Sequence, residues 1–209
     1  MKKFNIIVVI ILVIVLIVGI YGLMDKLKDN KSNGEITTSV SACEIVEDYT
    51  PKLTIRYTAL GVPNINSSFK TWMSYKAVTN RASAQYKCIN TYGWVDGAGF
   101  MRANGERDLG VTDDYYLIAL GSYYGTTIGT KYRITLDTGK MFYGILADCK
   151  ANKHTNSTNQ YVSTNGNIVE FLVNTQMLDK NVKMMGSANV YAPLNGSIAK
   201  IERMDFVLE

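Results

Sequence analysis

Residues 115–173 constrain the fold more than any other part of the chain. They contain three short runs rich in Ile, Tyr and Val, separated by turns that contain glycine, and Asp148 follows directly after the third run. A polar stretch of Lys, Asn, Thr and Ser comes next, followed by a fourth apolar run that carries Glu170. Short β-branched and aromatic runs bounded by turn residues are typical of β-strands. The segment therefore predicts a β-rich domain in which one strand ends on a carboxylate beside a long polar loop.

Similar patterns extend this prediction over residues 84–209 and indicate a mainly β domain. We expect one short helix before it, because Ser67 or Ser68 can cap a turn whose apolar residues follow at helical spacing. The tetrapeptide Asp137-Thr138-Gly139-Lys140 predicts a hairpin turn. The six predicted strands are residues 85–91, 115–120, 131–136, 141–147, 168–173 and 199–207. Six short strands favour a small closed barrel, since closure removes exposed strand edges, and an open sandwich is the alternative.

The N-terminal run of apolar residues predicts the compartment. Residues 6–23 are apolar apart from Tyr21 and two glycines, and two lysines precede them. As a helix this run would span about 27 Å, close to the hydrocarbon core of a bilayer. It is longer than the apolar part of a typical cleaved signal peptide, and no small-residue cleavage site follows it. A retained signal anchor, or transmembrane helix, over residues 1–24 is therefore favoured over a cleaved signal.

The remaining chain divides into a spacer and one domain. Residues 25–49 are predicted to be a polar spacer, and residues 50–209 are enough chain for a single core. Lys residues lie on both sides of the apolar run, so charge bias does not orient it. Because only a few residues precede the run, the large domain is placed outside the cell membrane, in a single-pass protein whose C-terminal domain is extracytoplasmic. Low Cys and high Asn, Lys and Ile contents are associated with low-GC Gram-positive bacteria.

Charge and cysteine content exclude several classes of function. The net charge of the whole chain is +4 and no block of Lys or Arg occurs, so nucleic-acid binding has no electrostatic basis. Three cysteines allow at most one intrachain disulfide; Cys43 with Cys88 is one open pairing, and unpaired buried thiols are the other interpretation. There is no pair of His or Cys at zinc-ligand spacing and no phosphate-binding glycine loop, so we expect no metal and no cofactor.

The frame of residues 116–148, YLIALGSYYGTTIGTKYRITLDTGKMFYGILAD, carries a family resemblance. It resembles the double-psi β-barrel domains of bacterial cell-wall proteins: the three-aspartate domain, the rare lipoprotein A family and the membrane-bound lytic transglycosylase A family. In these domains a Gly-Thr-Lys-like turn enters a strand, a hairpin follows, and the next strand ends on the catalytic aspartate. Here Gly129-Thr130-Lys131 is similar to the turn, Gly139 to the hairpin and Asp148 to the aspartate.

Two further segments extend the resemblance, and several positions depart from it. Val169-Glu170-Phe171 is similar to the later Ile-Asp-Leu-like strand, with Glu in place of the aspartate, and Arg102-Ala103-Asn104-Gly105-Glu106 is similar to the Ala-Asn-Gly-Glu segment of rare lipoprotein A. The family's acidic position before the turn is apolar here, within Ile118-Ala119-Leu120-Gly121. The tail after the catalytic aspartate reads Asp148-Cys149-Lys150-Ala151.

The resemblance implies a double-psi-like barrel that cleaves peptidoglycan glycan strands without water. Asp148 would protonate the glycosidic oxygen and then accept the proton of the muramic acid 6-hydroxyl, which closes a 1,6-anhydro ring, so one carboxyl group suffices. Glu170 is expected to be its carboxylate partner, and Lys131, Lys150 and Tyr124 to be substrate-binding residues. Asp148 would have to be protonated near neutral pH, for which desolvation and the nearby Glu170 charge would raise its pKa.

Two alternatives use the same residues. A sortase also combines an anchor, a β-barrel and a late cysteine, but it needs a His upstream of the thiol. The one histidine of this chain, His154, lies five residues after Cys149, which argues against that enzyme. The other alternative is a non-catalytic envelope module that has a degenerate acidic site and binds glycan or protein. Asp148 in a concave groove would favour the enzyme, and Asp148 held by loop hydrogen bonds would favour the binding module.

Overall fold

The computed structural model describes residues 51–209, so the predicted signal anchor, the spacer and Cys43 lie outside the described residues. The helices are α1 (Ala84–Tyr92) and α2 (Lys180–Met185), with short 3₁₀ turns in the connections. The strands are β1 (Leu53–Leu60), β2 (Thr71–Ser74), β3 (Trp94–Val95), β4 (Met101–Ala103), β5 (Tyr115–Leu120), β6 (Lys131–Leu136), β7 (Met141–Cys149), β8 (Glu170–Val173) and β9 (Ile198–Leu208). Over this part of the chain, neither helix has the length and apolar character that crossing a membrane requires.

The nine strands form one mixed sheet, which confirms the mainly β prediction. Along its main path the order is β1-β9-β6-β7-β5-β4-β3, and β8 lies between β5 and β2. β5 is central: β7 runs parallel to it on one side, and on the other side β4 pairs with its first half and β8 with its second half. This arrangement brings the ends of β7 and β8 to opposite sides of the same strand.

β5 is buried on both of its faces, which explains why its sequence is continuously apolar. Tyr116, Ile118 and Leu120 pack into one cluster of buried residues, and the alternate residues pack into a second cluster on the other face. The first cluster contains edge-to-face aromatic pairs, including Phe100 against Phe171 with ring centroids 5.5 Å apart. A strand covered on both faces cannot shift by one residue without exchanging its two sets of contacts.

Residues 85–91 form a helix, so the strand predicted there is wrong. Ser83 precedes α1, and its hydroxyl oxygen accepts a hydrogen bond from the Tyr86 amide at 3.1 Å. At the other end the Gly93 amide donates to the Ile89 carbonyl at 2.9 Å. Ser83 and Gly93 are ordinary helix start and stop residues, and they decide the conformation of a segment whose side chains alternate only weakly in polarity.

The helix predicted from Ser67 is also wrong, because this segment enters the sheet as β2. The Ser67 hydroxyl caps nothing locally and instead bonds to Ile198, accepting from its amide at 2.8 Å. Lys70 is completely buried, and its ammonium group donates to the Ser68 carbonyl at 3.0 Å and to the Asn189 side chain at 3.2 Å. β2 pairs with β8, about a hundred residues away in the sequence. This pairing makes the segment a strand even though its apolar residues have helical spacing.

The other predicted strands are confirmed with small changes in their ends. β5 and β6 have the predicted bounds, β7 continues to Cys149, β8 begins at Glu170, and β9 covers Ile198–Leu208. The predicted hairpin turn joins β6 to β7, with Gly139 at φ 80°. β1 to β4 lie outside the predicted set. Cys88 and Cys149 are unpaired within residues 51–209.

Candidate functional site

Asp148 and Glu170 flank one residue of the central strand. Ala119 of β5 is the register partner of Asp148 in β7 and of Glu170 in β8. The pairing of β5 with β7 shifts between Ile118 and Ala119, so a bulge in β7 sets Asp148 opposite Ala119. Neighbouring strands lie about 4.8 Å apart, which puts the backbones of the two acidic residues roughly 10 Å from each other. The fold therefore brings the two predicted carboxylates together across β5.

Asp148 lies half-buried under the N-terminal end of α1. Burial raises the pKa of its carboxyl group, hydrogen bonds from the Cys149 amide and the Gln85 side chain lower it, and the charges of Glu170 and Lys150 act in opposite directions. The Cys149 amide donates to Asp148 Oδ1 at 2.9 Å. Because burial is the largest effect, the pKa of Asp148 is raised overall. Asp148 therefore keeps its proton to a higher pH than a free aspartate in water does.

Lys150 is turned into the protein and pairs with Glu170. Its Nζ lies 3.3 Å from Glu170 Oε2, and the Lys150 side chain is 3% exposed while the Glu170 side chain is 26% exposed. Burial lowers the pKa of the Lys150 ammonium, and the Glu170 carboxylate opposes that shift. Glu170 therefore supplies the charge that compensates a buried cation, which sequence reasoning did not assign to it.

The polar loop that follows Asp148 is held against the sheet by several hydrogen bonds. Ser122 donates to the Asn152 side chain at 2.8 Å, and the Tyr123 amide donates to the Asn159 carbonyl at 3.3 Å. On its far side the Gln160 side-chain nitrogen donates to the Gly61 carbonyl at 3.2 Å. The loop of residues 151–167 therefore has a defined conformation beside the two carboxylates.

Gly121, directly after β5, lies in close contact with this loop. A Cβ atom at Gly121 would lie 2.0 Å from the Asn159 carbonyl oxygen, a backbone atom that cannot rotate away. We expect Gly121→Ala to displace the loop and to lower the free energy of unfolding by about 1–3 kcal/mol, the usual cost of overpacking.

Thermal and urea unfolding of the Gly121→Ala protein would measure this loss. Gly97→Ala is the matched control, because a Cβ there would meet nothing within 4 Å. It should change the stability by less than about 0.5 kcal/mol. Equal unfolding midpoints for the two variants would contradict the close packing of loop and sheet.

Two of the predicted substrate-binding residues lie apart from the carboxylates. Tyr124 is 2% exposed, so its ring face is covered by protein and cannot stack on a sugar in this conformation. Lys131 forms an ion pair with Glu106, to which the Tyr115 hydroxyl also donates a hydrogen bond. Lys131 lines cavities of about 480 Å³ and about 340 Å³, the second of which also contains Asn104 and Glu106.

The acidic pair lies outside four cavities of the described residues. Four cavities have volumes between about 270 and 480 Å³, and neither Asp148 nor Glu170 lines any of them. Gln85 was missed as a neighbour of Asp148 because its segment was predicted to be a strand.

Residues 51–209 contain no group of three His, Cys, Asp or Glu side chains placed to hold a metal ion.

No protein family, curated protein or solved structure matches this chain.

Proposed function

We propose that this protein is a membrane-anchored, extracytoplasmic enzyme that cleaves the glycan strands of peptidoglycan to 1,6-anhydro products. The observation that carries the proposal is the half-buried Asp148, whose pKa is raised and which faces Glu170 across Ala119. A carboxyl group with a raised pKa keeps its proton to a higher pH and can give it to a glycosidic oxygen. The proposal includes the finer fold, a double-psi-like barrel, which the parallel pairing of β5 with β7 and of β2 with β8 supports.

The chemistry needs one carboxyl group in two successive roles. Asp148 first donates its proton to the oxygen of the departing sugar. The resulting carboxylate then accepts the proton of the muramic acid 6-hydroxyl, whose oxygen bonds to the anomeric carbon and closes the anhydro ring. No water is consumed, and Asp148 ends protonated. In this scheme Glu170 holds Lys150 by their ion pair, and Lys150 in turn adds a positive charge near Asp148 when the carboxylate forms.

The test is digestion of purified peptidoglycan by the full-length protein in detergent, followed by mass spectrometry of the released fragments. Fragments with 1,6-anhydro ends are each lighter by one water than the products of hydrolysis. We expect anhydro fragments from the wild type. Release of hydrolytic fragments alone, or of no fragment at all, would reject the proposal.

A second candidate is an envelope module that binds glycan or protein without cleaving it. The observation that favours it is that Asp148 lines none of the four cavities and is held by the Cys149 amide and Gln85. Such a module would co-sediment with insoluble cell wall and release nothing. Its binding would be the same in wild type and Asp148→Asn.

The raised pKa of Asp148 also predicts a pH dependence of stability. Because the folded-state pKa lies above the unfolded value, the stabilisation linked to this group is present below the unfolded pKa and is lost as the pH rises through the folded pKa. Asparagine cannot ionise, so the stability of the wild type relative to Asp148→Asn should fall over that range. Melting temperatures of both proteins between about pH 4 and pH 8 would show the divergence, and parallel curves would contradict it.

A further inference from the structure

A basic cleft lies between α1 and the segment that follows β2. It has a volume of about 340 Å³ and is lined by Lys76, Arg81, Tyr75, Tyr86 and Asn90 among others. Lys76 and Arg81 are exposed, and within residues 51–209 neither has a carboxylate within ion-pair distance. The Lys76 ammonium lies 5.9 Å from the centre of the Tyr75 ring.

The sequence around this cleft contains no acidic side chain. Residues 51–95 include no Asp and no Glu, and the basic residues in this range are Lys52, Arg56, Lys70, Lys76, Arg81 and Lys87. Apart from Arg56, the Lys and Arg residues that form ion pairs with carboxylates are Arg102 and residues that follow it in the chain. Lys76 and Arg81 line the cleft and no acidic residue does, so its walls carry an excess of positive charge, which favours an anionic ligand.

The residues that line the cleft also indicate the chemical class of the anionic ligand. Tyr75 and Tyr86 give the cleft two aromatic sides, and Asn90 uses its amide nitrogen on the Tyr86 carbonyl at 2.7 Å, which leaves its side-chain oxygen as an acceptor. A guanidinium, an ammonium and an amide oxygen beside aromatic rings suit a peptide carboxylate with its own amide N–H. The volume is in the range of small-molecule sites.

The two elements that form the cleft are those that hold the acidic pair. β2, which leads to Tyr75, pairs with β8 at Glu170, and α1 carries Gln85 against Asp148 as well as Tyr86 and Asn90 on the cleft. A helix is about 10–12 Å wide with its side chains, and an extended peptide advances about 3.3 Å per residue. A peptide of three to five residues attached to a sugar at Asp148 can therefore reach the cleft.

We propose that the cleft of Lys76 and Arg81 binds a carboxylate of the short peptides that branch from the glycan strands. The inference rests on the proposed function, since it takes the glycan to lie at Asp148. Arg81 and Lys76 hold the carboxylate, and the tyrosines contact the peptide beside it. Such binding selects glycan that still carries its peptides over bare glycan.

The experiment measures binding of full-length protein to peptidoglycan with its peptides, to the same glycan after an amidase has removed them, and to purified wall teichoic acid. For Lys76→Gln/Arg81→Gln we expect a roughly 10- to 100-fold loss of affinity for peptide-bearing glycan, because two charge-assisted contacts are removed. Affinity for bare glycan should not change. Lys76→Arg/Arg81→Lys should keep most of the affinity.

Lys87→Gln is the control, since Lys87 is an exposed cation of α1 that does not line the cleft. An equal loss in this control, an equal loss on bare glycan, or a loss confined to the phosphate-rich teichoic acid would overturn the inference. Anhydro fragments are measured in the same samples. If the wild type releases anhydro fragments and Lys76→Gln/Arg81→Gln binds peptide-bearing glycan as tightly as the wild type, the inference alone fails. If the wild type releases no anhydro fragments and the double variant still loses affinity only for peptide-bearing glycan, the proposed function alone fails.

Discussion

Replacing Asp148 with asparagine is expected to lower the rate of anhydro-fragment release by 10²- to 10⁴-fold, the usual contribution of a positioned general acid. Asparagine keeps the size of the side chain and the oxygen that accepts from the Cys149 amide, but it has no proton to give to a glycosidic oxygen. Because the site disfavours the charged form of Asp148, the neutral amide should fold normally. Time courses of released anhydro fragments, quantified by mass spectrometry at equal protein concentration, measure the effect.

Asp108→Asn provides the control for this experiment. Asp108 is an exposed carboxylate outside the acidic pair, so Asp108→Asn makes the same chemical change away from the proposed site and should leave the rate unchanged. A wild-type rate in Asp148→Asn would mean that another group protonates the leaving oxygen. Equal losses in both variants would mean that the loss does not depend on the acid at the proposed site.

Glu170→Ala is expected to lower the free energy of unfolding by about 3–5 kcal/mol, the cost of leaving a buried charge without its partner. The change leaves the Lys150 ammonium, whose side chain is 3% exposed, without a carboxylate at 3.3 Å. Lys150→Met should cost less, about 1–3 kcal/mol, because Glu170 is 26% exposed and water can solvate it. The double variant should be more stable than Glu170→Ala, since it contains no buried unpaired charge.

Urea unfolding of the two single variants and the double variant gives the free energies for this comparison. Arg203→Gln is the control, because Arg203 is 42% exposed and water can replace its contact with Asp205, so the variant should unfold at nearly the same urea concentration as the wild type. If Lys150→Met proved more destabilising than Glu170→Ala, the assignment of Lys150 as the buried charge would be wrong.

The sequence pattern predicted correctly the strands whose conformation depends mainly on their own residues. β5 and β6 have the predicted bounds because their Ile, Leu, Tyr and Thr residues suit a covered sheet and glycines end them. β2 was missed because only its parallel partner β8, distant in the sequence, makes it a strand. For α1 the signal was present in Ser83 and was outweighed by an apparent strand pattern.

The candidate site was predictable in its membership but not in its geometry. Strand ends and a polar loop identified Asp148 and Glu170, and the sheet brings them to either side of Ala119. The bulge that sets this register and the inward direction of Lys150 depend on packing that no short sequence pattern encodes. Tyr123 and Tyr124 show the same limit, since one is 47% exposed and its neighbour 2% exposed.

The contacts of β1 and of the buried Lys70 determine when, during synthesis, the domain can complete its fold. β1 pairs with β9, Thr58 donates to Asp205 across 147 positions of sequence, and Lys70 bonds to Asn189 across 119. A ribosome delivers the N-terminal segments first, so β1 and the Lys70 segment wait unpaired until almost the whole chain has been synthesised. A chain that ends before Asn189 would lack β9 and leave β1 with an open edge, and its Lys70 would lack the Asn189 side chain as an acceptor. Proteolytic quality control removes chains with such features.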